Sequence, residues 1–298
     1  MSELRGVFVV LVTPLTTVGE VDTQGLRGNV QWLVEQGVHG VIPLGSTGGF
    51  ASLDDAQRIR VLDATMEAVD GRVPVVVGAG AETTEQAIAN IRRAESAGAS
   101  GVLVIPPWYY TPDQEELADH YRRLGEAASL PVMIYNNPFT SKVDIPPETL
   151  ARMSEFPHIE YVKESSGDIR RIARIRTLTE ERLRIFCGWE DMAYESFLMG
   201  AIGWVCVVGN VVPHMAVRLF ELVAEERNAA EGWTLYKRML PLLRYLEYEG
   251  KTQKALKYML DRMGLCGGES SSPKRALDME DRNRLDTLMA ELEIGAIR

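Results

Sequence analysis

The chain has 298 residues, of which 46% are hydrophobic and 25% are charged, and it carries a formal net charge of −10. This composition is typical of a globular protein, and the length suits one barrel of about 250 residues with a short extension. Two domains of about 150 residues are also compatible with the length. The negative charge argues against nucleic acids and anionic membranes as partners. A small anionic substrate is still compatible, because local hydrogen-bond donors decide such a site.

No stretch of the sequence reaches the roughly 20 apolar residues of a transmembrane helix. The apolar run at residues 7–12 also lacks the flanks of a signal peptide. The three cysteines, Cys187, Cys206 and Cys266, are too few and too scattered for a disulfide framework. We therefore expect a cytoplasmic protein in which Cys187 and Cys206 are small buried core residues.

Short apolar runs alternate with longer amphipathic stretches along most of the chain. Continuous runs rich in Val and Ile are typical of strands covered on both faces, as in a parallel sheet. The predicted strands are Val7–Val12, Gly40–Leu44, Val73–Val77, Gly101–Ile105, Pro131–Tyr135, Ile159–Lys163, Arg184–Cys187 and Gly203–Val207. The predicted helices between them include Asp54–Val69, Thr84–Ala97, Asp113–Ala128 and Glu190–Met199, and the predicted caps are Asp54, Thr83 and Thr111.

Eight successive strand and helix pairs predict a (β/α)8 TIM barrel, and the lack of G-x-G-x-x-G weakens a dinucleotide-binding alternative. After the barrel pattern stops, three helices are predicted at Trp233–Glu249, Lys251–Met263 and Pro273–Ile294. We therefore predict a barrel over residues 1–230 and a C-terminal helical subdomain over residues 231–298. In that subdomain we interpret Lys251, Lys254 and Lys257 as a solvated helix face.

Lys163 is the residue on which the functional interpretation depends. In such a barrel, active residues lie at the carboxyl ends of strands, and Lys163 ends the sixth predicted strand. Strand alternation places it on the same face as Ile159 and Tyr161. If that face is interior, loss of hydration favours the neutral, nucleophilic amine. The structural alternative is a lysine that snorkels to solvent or pairs with Glu164.

Other polar and aromatic residues follow the neighbouring strands. Tyr135 ends the fifth strand, where its phenol either transfers protons or packs. Ser46 and Thr47 lie on a glycine-rich turn, which either holds a carboxylate or is only a turn. Trp189 and Tyr110 either line the mouth of the barrel or are structural.

The histidines of the chain are isolated, with no His-x-His and no adjacent carboxylate cluster. They are His39, His120, His158 and His214. This pattern disfavours a metal-dependent aldolase, and we expect the histidines to be structural or exposed and the site to use no metal and no cofactor.

Together these features resemble the dihydrodipicolinate synthase and N-acetylneuraminate lyase family over nearly the whole chain. The most specific matches are YNNP at residues 135–138 and VKESSGD at residues 162–168, each at a predicted strand end. The turn at residues 45–48 and Asn210 add weaker matches. The resemblance implies a class I aldolase-type barrel that forms a Schiff base with a 2-oxo acid and assembles as a homotetramer, a dimer of dimers.

The resemblance also implies roles for the residues at matching positions. Lys163 would form the imine and Tyr135 would donate and accept protons. Thr47 would relay protons between Tyr135 and Tyr109, the latter reaching across from a neighbouring subunit. The residues implied to bind the substrate are Ser46, Thr47, Gly48, Ser165, Gly188 and Val205.

Two positions depart from the family pattern. Gly49 stands where the turn usually ends in glutamate. Thr140 stands where dihydrodipicolinate synthases place an arginine for the second substrate's carboxylate, and Lys142 is a poor geometric substitute. We therefore predict a Schiff-base lyase, that is, an aldolase, dehydratase or deaminase acting on a small 2-oxo acid or its cyclic imine. The alternatives are 4-hydroxy-tetrahydrodipicolinate synthase, condensing pyruvate with aspartate semialdehyde, and a non-catalytic keto-acid binding protein.

Overall fold

The computed structural model describes residues 3–297, over which eight parallel strands form the predicted (β/α)8 barrel. The strand order is β2-β1-β8-β7-β6-β5-β4-β3, and a parallel bridge between Val41 and Val75 joins the two ends of the sheet. The strands are β1 (Gly6–Val10), β2 (Gly40–Ile42), β3 (Val76–Gly78), β4 (Gly101–Val104), β5 (Val132–Asn136), β6 (Ile159–Glu164), β7 (Arg184–Cys187) and β8 (Gly203–Cys206). The predicted fold class is therefore confirmed, with a C-terminal helical extension after the barrel.

Twelve α-helices lie within the same residues. They are α1 (Thr23–Glu35), α2 (Asp55–Val69), α3 (Thr84–Ser96), α4 (Gln114–Ala127), α5 (Pro138–Ser141), α6 (Pro147–Met153), α7 (Arg170–Thr179), α8 (Ala193–Leu198), α9 (Pro213–Phe220), α10 (Ala229–Tyr248), α11 (Thr252–Arg262) and α12 (Met279–Glu291). Helix α10 begins near the predicted boundary at residue 231, and the division into two domains stays a prediction.

The predicted helix boundaries are only partly correct. Asp54 and Thr83 cap α2 and α3 as predicted. Thr111 does not cap α4, because Asp113 accepts two N–H groups of the first turn and forms a capping box. Glu190–Met199 is a 3₁₀ turn followed by the shorter α8. Helix α12 starts after its cap Asp278, not at residue 273.

The interior of the barrel is filled by large and small residues that face one another. The ring of Phe186 meets those of Phe8 and Tyr161 edge to face, at centroid distances of 5.4 and 5.9 Å. Gly40 and Gly203 leave room for these rings. A Cβ on Gly40 would lie 2.3 Å from the Phe8 ring, and a Cβ on Gly203 would lie 2.3 Å from the Phe186 ring. Side chains two residues further along the strands therefore point into the same interior at its carboxyl end.

The interpretation of Lys257 as part of a solvated face is wrong. Its side chain is only 4% exposed, and Nζ donates to the carbonyl oxygens of Thr13, Gly267 and Glu269 at 2.8, 3.1 and 2.5 Å. Burial lowers the pKa of this lysine to about 8. Lys257 thus ties α11 to the residues that follow β1 and to the loop before α12.

Other assignments concern cysteines, histidines and membranes. Cys187 and Cys206 are buried, as predicted. His120 is also buried, its Nδ1 lies 2.9 Å from the Thr84 hydroxyl, and burial lowers its pKa to about 4.

Across residues 3–297, no three His, Cys, Asp or Glu side chains are placed to share a metal ion. No helix in that span has the length and apolarity to cross a membrane.

Candidate active site

Lys163 lies near the carboxyl end of β6 and points into the mouth of the barrel. It is 5% exposed, and the register of β5 and β6 sets it opposite Tyr135. Its Nζ lies 4.0 Å from the centroid of the Tyr135 ring, within cation–π distance. Among residues 3–297, no carboxylate forms an ion pair with this amine. The nitrogen is therefore buried, oriented and not engaged by a counter-ion.

The neighbouring carboxylate of Glu164 points away from the mouth. Its Oε2 lies 3.4 Å from Nε of Arg171, and the carboxylate accepts hydrogen bonds from Asn136 Nδ2 and the N–H of Ser166. Burial raises the pKa of Glu164, and the charge of Arg171 and these donors offset part of that effect. A Lys163–Glu164 pair, the structural alternative for the lysine, is therefore wrong.

The phenol of Tyr135 is held by a residue that the sequence did not single out. Asn137 Nδ2 donates to the Tyr135 hydroxyl oxygen at 3.0 Å. The other amide atom, Asn137 Oδ1, accepts the N–H of Thr140 at 3.1 Å, which fixes the orientation of the amide. Because the phenol oxygen already accepts this bond, its proton is free to be donated toward the mouth. Asn137 belongs to the YNNP motif, and its position two residues after Tyr135 was the sequence signal that could have identified it.

The predicted carboxylate-binding residues lie on one tight turn after β2. The N–H of Gly49 donates to the Ser46 carbonyl at 3.0 Å, which closes the turn. Ser46 is exposed and Thr47 is half-buried. Gly48 is buried, and a Cβ there would lie 3.0 Å from the carbonyl oxygen of Leu11. The turn therefore presents two hydroxyls while its backbone packs against the end of β1.

Gln253, from α11, occupies the space beside Gly49. Its Nε2 donates to the Thr47 carbonyl at 3.1 Å and lies 2.7 Å from where a Cβ of Gly49 would be. Gly49 also has a φ of 69°, a left-handed conformation that favours glycine. A glutamate at this position would have to displace the Gln253 side chain and adopt a strained backbone conformation, and here an amide from the C-terminal helices supports the turn.

Ser165 and Gly188 lie directly against the lysine. The hydroxyl of Ser165 donates to the Gly188 carbonyl at 2.9 Å. A Cβ on Gly188 would lie 2.0 Å from Ser165 Oγ and 2.6 Å from Lys163 Cγ. Val205 is buried two residues after Gly203 on β8, and so faces the same interior. Three of the predicted substrate-binding residues thus surround the lysine side of the mouth.

Tyr109 stands apart from this group within the single chain. It is 72% exposed, its ring packs on that of Tyr110 at 4.8 Å, and its N–H donates to Glu82 at 3.2 Å. Its implied role in a neighbouring subunit stays a prediction.

Trp189 follows Gly188 and belongs to an aromatic cluster. Its ring packs against Phe139 and Tyr248, with centroid distances of 5.2 and 6.3 Å. That Trp189 lines the mouth of the barrel stays a prediction.

Two carboxylic acids near the lysine, the buried Glu190 and the half-buried Glu247, were missed by sequence reasoning. The Glu190 carboxylate accepts the N–H groups of Val207 and Val208 at 2.9 and 3.1 Å, and its own N–H donates to Glu247 at 2.8 Å. Burial and the neighbouring Glu247 raise the pKa of Glu190 to about 8, while the charge of Lys163 opposes the shift. Burial likewise raises the pKa of Glu247. The position of Glu190 just after β7 was the only sequence signal for this pair.

Known proteins are similar to this chain in sequence and in fold. Residues 3–292 match the family described as the dihydrodipicolinate synthetase family. A 4-hydroxy-tetrahydrodipicolinate synthase from Methanothrix thermoacetophila is 33% identical over 97% of both chains. The dihydrodipicolinate synthase of Thermotoga maritima matches with a TM-score of 0.93 and 31% identity, over 98% of this chain and all of that one. A dihydrodipicolinate synthase variant described as monomeric matches with a TM-score of 0.91 and 30% identity, over 97% of both chains.

Proposed function

The chain belongs to the dihydrodipicolinate synthetase family, and we propose that it is a lyase that processes a small 2-oxo acid through a Schiff base on Lys163. Family membership makes the chain an enzyme of the lyase type, which sets aside the non-catalytic binding protein. The observation that carries the proposal is the amine of Lys163, buried at the barrel mouth over the Tyr135 ring and without a carboxylate partner among residues 3–297.

In the proposed reaction, neutral Lys163 attacks C2 of the 2-oxo acid and the former carbonyl oxygen leaves as water. The phenol of Tyr135, whose proton is left free by Asn137, supplies the proton that the departing oxygen needs. The resulting iminium draws electrons from C3 and gives an enamine in either of two ways. In cleavage, the 4-hydroxyl loses its proton and the C3–C4 bond breaks, so that an aldehyde leaves and the enamine takes up a proton at C3. In dehydration, a C3 proton is removed and the 4-hydroxyl then takes up a proton and leaves as water. Hydrolysis of the resulting imine releases the 2-oxo acid product and returns the free lysine.

The turn at residues 46–48 is proposed to hold the substrate carboxylate. Ser46 and Thr47 supply hydroxyl donors there, and the packed backbone of Gly48 keeps the turn close to β1. Ser165, Gly188 and Val205 would line the pocket beside the reacting carbon, where a larger residue than glycine would displace the lysine.

The loop after β5 favours cleavage, dehydration or deamination over condensation. Thr140 offers a hydroxyl in place of a guanidinium, and Lys142 is exposed, with no carboxylate partner among the described residues. We therefore propose a 4-hydroxylated 2-oxo acid or a related cyclic imine as substrate. The second candidate, 4-hydroxy-tetrahydrodipicolinate synthase, is favoured by relatives of that name, 33% identical over 97% of the chain.

The adduct is tested by incubation with pyruvate and borohydride, followed by peptide mass analysis. One reduced pyruvyl group on Lys163 is expected, and a label on another lysine, or none, would reject the mechanism. A coupled reductase assay with aspartate semialdehyde, run beside a panel of 4-hydroxy-2-oxo acids, separates the two candidate functions. Robust condensation would make the synthase the better assignment.

We also propose that the active unit is at least a dimer, within a homotetramer. The support is the exposed pair Tyr109 and Tyr110 beside the mouth, a surface that a second copy would cover. Mixing inactive Lys163→Ala and Tyr109→Phe subunits should restore part of the activity if Tyr109 acts across the interface. No recovery after proven subunit exchange, or a fully active monomer in light scattering, would contradict this assembly.

A further inference from the structure

A cleft lined by cations lies outside the site around Lys163. It has a volume of about 210 Å³ and is formed by α11, the loop before α12 and the first turn of α12. Its cations are Lys254, Lys257, Lys274 and Arg282, and we call it the cation cleft. It shares no residue with the proposed catalytic site.

The cations of this cleft form no ion pairs among residues 3–297, whereas many surface arginines do. Arg122, for example, pairs with Asp119 and Glu126. Within residues 3–297, none of the four cleft cations forms an ion pair, and Nε of Arg282 is buried without any hydrogen-bond partner. Lys257 is bound only by carbonyl groups. Like charges gathered without partners repel each other, and an anion in the cleft would remove that cost.

Two carboxylates also line the cleft, but four cations outnumber them, and the charge balance still favours an anion. Asp261 accepts the N–H of Gly267 at 2.7 Å, and the Glu269 side chain is exposed at the edge. Four cations face these two acids, on a chain whose formal net charge is −10. A local excess of positive charge on an acidic protein concentrates small anions at that place.

We propose that the cation cleft is an effector site for a small oxyanion of the phosphate class, and that its occupancy acts on the turn at residues 45–49. Nζ of Lys274 donates to Gln253 Oε1 at 2.6 Å, and Gln253 Nε2 donates to the Thr47 carbonyl at 3.1 Å. Lys257 reaches the Thr13 carbonyl from the same cleft. An oxyanion that draws Lys274 into the cleft therefore pulls on Gln253, which supports the turn.

Binding is tested on the full chain by calorimetric titration with inorganic phosphate, with chloride at equal ionic strength as the salt control. The native chain should bind phosphate, and Lys254→Gln should weaken binding about tenfold, because a charged hydrogen-bond partner is lost. Lys237→Gln removes an equal charge from exposed α10 and should leave binding unchanged. Absence of binding, or equal weakening by both substitutions in chains with unchanged thermal unfolding, would overturn the site.

The coupling is tested by measuring the pyruvate concentration that gives half-maximal borohydride trapping, with and without phosphate. Phosphate should shift this concentration in the native chain and not in Gln253→Ala, which keeps the cleft. By linkage, pyruvate should change phosphate affinity by the same factor. A phosphate effect that survives in Lys254→Gln would place the anion at the catalytic turn and reject the coupling. If no pyruvate is trapped at all, the proposed catalytic function fails. The phosphate titration would then still show whether the cation cleft binds an oxyanion.

Discussion

The buried and the exposed sides of the barrel mouth are held in different ways. On β5 and β6, Tyr135 and Lys163 are 6% and 5% exposed and face each other in register. After β4 and β5, Tyr109 and Phe139 are 72% and 71% exposed. Packing fixes the buried pair, whereas fewer contacts hold the exposed side chains. Under the proposed function, the buried pair would organise imine formation in advance, and the exposed side chains would meet the distal part of the substrate.

The two departures from the family pattern lie outside the buried pair of Tyr135 and Lys163. Gly49 is a half-buried residue on the turn after β2, and Thr140 is an exposed residue in the short helix α5 after β5. The buried side keeps the lysine, the tyrosine and the residues around them. Under the proposed function, reaction type and substrate choice would depend on different parts of one mouth, so substitutions on the two sides should have different effects.

The largest effect is expected from Lys163→Ala. Loss of the amine should abolish both pyruvate trapping and turnover, because the mechanism has no other nucleophile. Lys142→Ala removes an exposed lysine from the loop after β5 and should leave trapping intact. Trapping that survives in the first variant, or disappears in the second, would place the nucleophile on the exposed side and break the comparison.

Tyr135→Phe should have the next largest effect. The ring that packs on Lys163 stays, but the proton donor is lost, so turnover should fall by about 100- to 10,000-fold. Thermal unfolding should barely change, because the lost hydrogen bond has a half-buried donor, Asn137. Steady-state kinetics that match the native chain would show that Tyr135 only packs.

Gly188→Ala tests how closely the buried side is packed. The added methyl would meet Ser165 Oγ and Lys163 Cγ at 2.0 and 2.6 Å, so the lysine has to move. A displacement of about 1 Å costs roughly 100-fold in rate. Gly28→Ala is the matched control, because a Cβ there has no heavy atom within 4 Å. Equal rates in both variants would mean that the lysine tolerates more movement than the packing indicates.

The sequence was sufficient for the barrel because its strands are covered on both faces and read as continuous apolar runs. It was also sufficient for Lys163, since strand alternation and the strand end together fix where that side chain points. The acids Glu190 and Glu247 were missed because they are 57 residues apart and meet only in the folded chain. Tertiary contacts of this kind leave no local pattern.

Lys257 shows how a local pattern misleads. Lysines three residues apart on a helix are rotated by about 60° from one to the next, so Lys251, Lys254 and Lys257 wind around α11 rather than lining one face. The first pairs with Asp281 while the last turns inward to carbonyl groups. An equal spacing in sequence therefore does not imply an equal environment.

The smallest effect on the first chemical step is expected from Thr140→Arg. Residue 140 is exposed, and its N–H donates to both the carbonyl and the side-chain oxygen of Asn137, bonds that a substitution of the side chain leaves in place. Pyruvate trapping should therefore stay within about twofold of the native chain, as for most surface substitutions. Condensation with aspartate semialdehyde should increase in the coupled assay, because a guanidinium binds the incoming carboxylate with two hydrogen bonds.

Thr140→Lys is the control for charge alone, since an ammonium lacks the planar pair of donors. A gain in both variants would mean that any cation suffices, and Lys142 would then already serve the synthase reaction in the native chain. A large loss of trapping in either variant would show that the loop after β5 positions the lysine. The exposed side would then take part in imine formation, and the separation between reaction type and substrate choice would not hold.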